Sequence, residues 1–206
     1  MIKTRIIGAI MALTISAAPM LGLSNTLTKT MPSVQITAEA AKSKPGKWIK
    51  AGNGKWWYKH NDGTYTKNDW EYINGKWYHF DSAGWMQTGI IRDDGKKYLL
   101  DPDNGYMVTG WRKYNNRWYF FESNGAAKTQ FATINGKNYY FEVTDNLYDP
   151  NYAAMKTGWF FIGFKNGHQY YAYPGDDGHL AKGKVKINGV KYTFHETLCY
   201  LIKKGW

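Results

Sequence analysis

From residue 46 onward, short aromatic and β-branched runs occur in pairs, and each pair is joined by a turn dipeptide. Gly110-Trp111-Arg112-Lys113-Tyr114, then Asn115-Asn116, then Arg117-Trp118-Tyr119-Phe120-Phe121 is one such pair. Asn-Gly and Asp-Gly favour type I′ turns, whose two central residues need φ > 0, so each pair reads as a β-hairpin. The dipeptides fall at Asn53-Gly54, Asn74-Gly75, Asp94-Gly95, Asn115-Asn116, Asn135-Gly136, Asn166-Gly167 and Asn188-Gly189, in steps of 21, 20, 21, 20, 31 and 22 residues. A period near 20 residues is the mark of a repeat architecture. No segment beyond the N-terminal leader carries a 3.6-residue apolar period. A lone hairpin is marginal in water, whereas hairpins in tandem bury one another's faces. The pattern therefore predicts an all-β fold, tandem β-hairpin repeats stacked as a solenoid or superhelix. Asp145 to Lys156 is a longer polar link that interrupts the array.

Register arithmetic sorts the side chains. A two-residue loop at 115–116 opposes Trp111 to Phe120 and Lys113 to Trp118, and residues i and i+2 share a face. Trp111, Lys113, Trp118 and Phe120 then lie together, and Tyr114, Tyr119 and Phe121 point the other way. At 74–75 the same arithmetic groups Trp70, Tyr72, Trp77 and His79 against Ile73, Tyr78 and Phe80. At 135–136 it puts Tyr140 on the face equivalent to that of Trp111, and Ile134, Tyr139 and Phe141 on the other. In the first repeat a three-residue loop, Gly52-Asn53-Gly54, brings Trp48 and Trp56 to one face. One face of each hairpin suits a core. The other carries a tryptophan pair, which either staples hairpin to hairpin or leaves a slot whose π faces bind a cation or the C–H side of a sugar.

The N-terminus reads as an export signal. Lys3 and Arg5 precede an uncharged apolar run, Ile6 to Leu23, and Ala38-Glu39-Ala40-Ala41 offers a small-x-small cleavage site. This predicts a signal peptide over 1–40, a short linker over 41–45 and a repeat domain of about seven hairpins over 46–206, with no stable membrane insertion after cleavage. The chain is then secreted and associated with the cell wall or cell surface. The 206 residues carry 27 Lys+Arg against 16 Asp+Glu, a net charge of +11, which favours anionic polymers through long-range attraction. At 17% aromatic content the chain is unlike a disordered one, and its single cysteine, Cys199, excludes an internal disulfide. Basic charge with many aromatics also suits single-stranded nucleic acid, but export and the repeats argue against that partner.

No residue set reads as catalytic, as metal-ligating or as holding a cofactor. The histidines at 60, 79, 168, 179 and 195 are scattered, and Cys199 near His195 lacks a supporting constellation. Asp81, Asp101, Glu122 and Glu142 recur after second strands, a position explained by turn chemistry. Asp101-Pro102-Asp103-Asn104-Gly105 departs from a calcium loop at its sixth position and at Arg112. The chain reads as a non-enzyme.

The unit Thr109-Gly110-Trp111, six residues, Trp118-Tyr119-Phe120-Phe121-Glu122, two residues, Gly125 resembles the cell-wall-binding, or choline-binding, repeat of Gram-positive surface proteins. Trp70 to Gly84 is similar, and the resemblance covers about residues 46–195. Glucan-binding repeats and the receptor-binding repeats of clostridial toxins look alike too, and Gly158-Trp159 through Tyr173 resembles the long repeat of those toxins. The resemblance implies that choline of teichoic acid sits between successive hairpins, boxed by two Trp and a Tyr. Carried over, Trp111 and Trp118 supply two walls and Tyr140 of the next repeat the third. Trp70 with Trp77 has Leu99 at the third position, and Trp48 with Trp56 has His79. Elsewhere the second Trp position holds Lys97, Asn138, Gln169 or Lys191, and the first holds Ile90 or Phe131. A lysine lining such a box would repel a cation. The implied partner is choline-bearing teichoic acid. The alternative is another cell-surface polysaccharide, with the chain acting as a carbohydrate-binding module for glucan or host glycans.

Overall fold

The structure, a computed structural model, describes residues 44–165 and 168–205. The expected signal peptide over 1–40 and most of the linker over 41–45 lie outside the described residues. The first strand begins at Gly46.

Every strand belongs to an antiparallel hairpin. In order these are β1 (Gly46–Lys50) with β2 (Trp56–His60), β3 (Asp69–Ile73) with β4 (Lys76–Phe80), and β5 (Gly89–Asp93) with β6 (Lys96–Leu100). Next come β7 (Gly110–Tyr114) with β8 (Arg117–Phe121), β9 (Gln130–Ile134) with β10 (Lys137–Phe141), and β11 (Phe160–Lys165) with β12 (His168–Ala172). The seventh, β13 (Gly183–Ile187) with β14 (Val190–Phe194), gains a third strand, β15 (Leu201–Lys204). The sequence-derived registers hold: Trp111 opposes Phe120, Trp70 opposes His79, and Trp48 opposes Tyr58. The first loop closes with an Ala51 N–H to Lys55 carbonyl bond of 2.8 Å, so three residues span it as the tryptophan parity requires. Asn115 and Asn116 both take positive φ, 47° and 61°, the geometry of a type I′ turn. The sixth hairpin carries a bulge between Phe161 and Gly163.

Contacts divide the chain into two units, one ending at Met86 and one beginning at Gln87. In the first, Tyr58, Ile73 and Phe80 form the core, with Trp48, Tyr78 and Met86 against it. A buried polar staple joins its hairpins: His60 bonds Glu71 through Nε2 at 2.8 Å and Thr64 through Nδ1 at 2.8 Å, and the Thr66 hydroxyl donates to Glu71 Oε2 at 2.6 Å. In the second unit each hairpin contributes a small cluster, such as Tyr119 with Phe121 or Tyr139 with Phe141. Within each unit stability thus comes from neighbour-to-neighbour stacking, as in a hairpin solenoid.

The long polar link is clamped to the third and fourth hairpins. Arg92 Nε donates to the Leu147 carbonyl at 2.9 Å, Arg117 Nε to Asn151 Oδ1 at 3.0 Å, and the Tyr119 hydroxyl to the Pro150 carbonyl at 2.9 Å. These bonds satisfy link groups that the interrupted repeat pattern leaves without ladder partners.

Candidate functional site

One hairpin meets the next through opposite faces. The first tryptophan of a hairpin rests on the second strand of its successor. Trp48 lies 4.9 Å from Tyr78 and 6.0 Å from Phe80, ring centre to ring centre. Trp111 lies 4.8 Å from Tyr139 and 5.7 Å from Phe141. Trp159 lies 5.0 Å from Tyr192 and 5.7 Å from Phe194. The same Trp-on-Tyr-and-Phe contact therefore recurs in both units.

A residue in the following link closes the junction. Its backbone N–H donates to the carbonyl of the second-tryptophan position one hairpin back: Met86 to Trp56 and Met155 to Trp118, both at 2.8 Å. Ala127 to Lys97 and Leu180 to Asn138 repeat the bond at 2.8 and 2.7 Å. At the Trp48 and Trp111 junctions the frame is two residues of one hairpin, a tyrosine of the next and a link residue beyond it. In the first unit these are Trp48, Trp56, Tyr78 and Met86. In the second they are Trp111, Trp118, Tyr139 and Met155.

The latter four, with Asp176 and Asp177, line a cavity of about 300 Å³. Trp111 and Trp118 stand nearly perpendicular, at 81°, with centres 6.4 Å apart. Trp118 is 44% exposed and Tyr139 is 9% exposed, so the cage has one open wall and one core wall. No basic residue lines it among the described residues. Burial raises the Asp177 carboxyl, but hydrogen bonds from the His179 side chain and backbone outweigh this and hold it below its usual range, with Lys137 at 3.9 Å adding to the effect. Burial pushes the Tyr139 phenol up, and the Asp177 charge pushes it further. The result is a π-walled space with an ionised rim, suited to a cation that needs no hydrogen-bond acceptors.

This geometry changes the third wall. Tyr140 does not line the Trp111–Trp118 cavity; it packs on Phe131 at 4.8 Å and on Phe160 at 4.7 Å, one junction further along. The reason is strand alternation. Tyr140 shares its hairpin's forward face, and Tyr139 points back toward Trp111. His79 likewise packs on Trp70 at 5.0 Å within its own hairpin, and Tyr78 is the ring that meets Trp48. Trp77 packs on Tyr72 at 5.2 Å, and Leu99 is buried in the second unit's core with Val108, Tyr119 and Phe121. Met155 was missed as a site residue although Met86-Gln87-Thr88-Gly89, Met107-Val108-Thr109-Gly110 and Met155-Lys156-Thr157-Gly158 repeat one link pattern that could have flagged it, and the Asp176-Asp177 turn carries no repeat signal of its own.

At the fifth junction Phe131, Asn138 and Leu180 occupy the equivalent positions and, with Cys199 and Tyr200, border a cavity of about 440 Å³. Asn138 Nδ2 donates to Cys199 Sγ at 3.3 Å, while the His195 imidazole accepts N–H bonds from Thr197 and Leu198 in its own loop. These bonds aim thiol and imidazole at different partners. Of the carboxylates after second strands, the aspartates cap turns: Asp81 Oδ1 accepts from Ala83 and Trp85 N–H groups, and Asp101 Oδ1 from Asp103 and Asn104, whereas Glu122 and Glu142 pair with Lys128 and Lys156 of the links that follow. No group of three His, Cys, Asp or Glu side chains converges among the described residues.

The profile of the choline-binding repeat matches residues 67–109 and 108–148. Choline binding protein F from Streptococcus pneumoniae is similar over 77% of this chain and 48% of its own, at 32% identity and a TM-score of 0.63. CbpJ from the same species shares 30% identity over the same fractions, also at 0.63. The modular autolysin LytC from Streptococcus pneumoniae, solved with a synthetic peptidoglycan ligand, shares 25% identity over 77% of this chain and 33% of its own, at 0.54. The chain thus spans about half the length of the first two structures. No curated protein matches it.

Proposed function

Starting from a chain whose residues 67–148 belong to the choline-binding repeat family, we propose that it is a secreted, non-catalytic wall-binding protein that takes choline groups of teichoic acid into the inter-hairpin cages. The observation that carries this reading is the open cavity walled by Trp111, Trp118, Tyr139 and Met155 beneath the Asp176-Asp177 rim. A quaternary ammonium has no N–H to satisfy, so it loses little on leaving water for π faces. Each desolvated ring contributes about 0.5–2 kcal/mol. Three rings reach the millimolar scale of about −4 kcal/mol, and a polymer that engages two or more cages raises the net affinity well beyond one site. Trp48, Trp56, Tyr78 and Met86 form the corresponding cage of the first unit.

Retention of the full chain on choline-agarose, with elution by free choline, is the expected result. Flow-through of folded protein at low salt overturns the reading. The fifth junction favours a second ligand class: Phe131, Asn138 and Tyr200 border its larger cavity without a carboxylate, which suits an uncharged sugar face rather than a cation. Retention on dextran that choline does not release would favour that class.

A further inference from the structure

The junction between the β5–β6 and β7–β8 hairpins keeps the frame of a cage and changes its contents. Ile90 and Lys97 stand at the two indole positions, Tyr119 is the ring of the following hairpin, and Ala127 is the link residue. Lys97 is 2% exposed. Its Nζ lies 5.2 Å from the Tyr119 ring centre and 5.5 Å from that of Tyr152. It donates to the Tyr152 carbonyl and, at 3.4 Å, to the Asp149 carbonyl. Both carbonyls belong to the long link, which Arg92, Arg117 and Tyr119 also clamp.

A buried ammonium persists only when it is partnered. Here two rings and two carbonyls partner it. Burial, and next the Arg92 charge, pull the Lys97 pKa down to about 8, against the opposing pull of Asp149. The side chain therefore remains mainly an ammonium at neutral pH.

We propose, building on the cage reading above, that Lys97 is the resident guest of this junction. A primary ammonium supplied by the chain fills the seat that an external cation takes at the Trp111 junction, and it fastens the 145–156 link across the third and fourth hairpins. The seat is closed to choline. It is also selective, because a quaternary ammonium offers no N–H to the Asp149 and Tyr152 carbonyls and would leave them unsatisfied.

The test is chemical rescue in the full chain. Lys97→Ala removes the three methylenes and the nitrogen that n-propylammonium replaces. Amide hydrogen exchange over 145–156 should quicken about tenfold in Lys97→Ala, the scale of one desolvated cation–π contact. Millimolar n-propylammonium should restore protection and raise the melting temperature. Tetramethylammonium at equal ionic strength should do neither, and wild type should respond to neither cation. Equal responses to both cations, or no response of the folded variant to either, overturn the proposal. If Lys97→Ala does not fold, wild type still decides: reductive methylation at pH 7.5 should spare Lys97 while modifying the exposed Lys96, and equal labelling rules out a seated ammonium. Choline-agarose retention rests on other junctions, so loss of choline binding with intact rescue sinks only the functional reading. Failed rescue with intact retention sinks only this one.

Discussion

Trp118→Ala isolates the cage from the fold that holds it. The indole is 44% exposed and its ring neighbour is Trp111 of its own hairpin, so its removal leaves the rings that stack one hairpin on the next in place. The Met155 N–H bond to the residue 118 carbonyl survives any side chain at that position. What disappears is one of three rings around the cavity, worth about 0.5–2 kcal/mol toward a cation, or roughly 2- to 30-fold in affinity at that site. Calorimetric titration with choline should therefore show either one fewer site or one markedly weaker site, with the melting temperature lowered less than by Trp159→Ala. Trp159→Ala is the control, because that ring packs on Tyr173, Tyr192 and Phe194. It should destabilise by on the order of 2 kcal/mol and leave choline affinity at the Trp111 cage in place. Identical titrations for the two variants would refute the reasoning that separates cage walls from stacking rings.

Other outcomes follow from neighbouring contacts. Gly178 sits at φ 78°, and a Cβ there would overlap Met155 Sδ and Cε, so Gly178→Ala should lower the melting temperature and weaken choline binding together; a variant indistinguishable from wild type in both would count against Met155 as a wall. Asp177 is held below its usual range, so it stays ionised as pH falls from neutrality through the ordinary carboxylate value of about 3.9. Choline affinity should then be flat between pH 8 and 5 and decline only below about pH 4; a decline between pH 7 and 5 would show that the rim charge is not the titrating element. Asp177→Asn should reproduce the acid-side affinity at neutral pH. In the first unit Lys50 Nζ lies 5.8 Å from the Trp56 ring centre, so Lys50→Ala should free that face and tighten choline by roughly 2- to 5-fold, read by fluorescence titration of the isolated site in a Trp118→Ala background.

The hairpins were legible because their signals are local. Asn115-Asn116 dictates its own turn, and the turn dictates that Trp111 opposes Phe120. The parity of Trp48 and Trp56 likewise demanded a three-residue loop, which the Ala51–Lys55 bond closes. What lay beyond local arithmetic was how one hairpin lies on the next. The register had already put Tyr139 and Tyr140 on opposite faces, but only stacking decides which face looks back, and it is that of Tyr139. Met155, the Asp176-Asp177 turn and the docking of residues 145–156 on Arg92, Lys97 and Arg117 depend on contacts between segments far apart in the chain. Lys97 illustrates the limit well. Read by residue type it spoils a cation box, and only its carbonyl partners, more than 50 residues away, reveal what it does there.

The backward bond from a link N–H to the preceding hairpin's carbonyl makes each of the four junctions that carry it a three-part assembly with a direction. A polypeptide shortened to end at residue 142 would retain both Trp111 and Trp118, yet it would lack Met155 and the acidic turn. Its last pair of indoles would face solvent without a floor. Grafting a single repeat into another array would therefore rebuild half of two junctions and complete neither, so the smallest portable module is a hairpin together with its successor and the strap that follows.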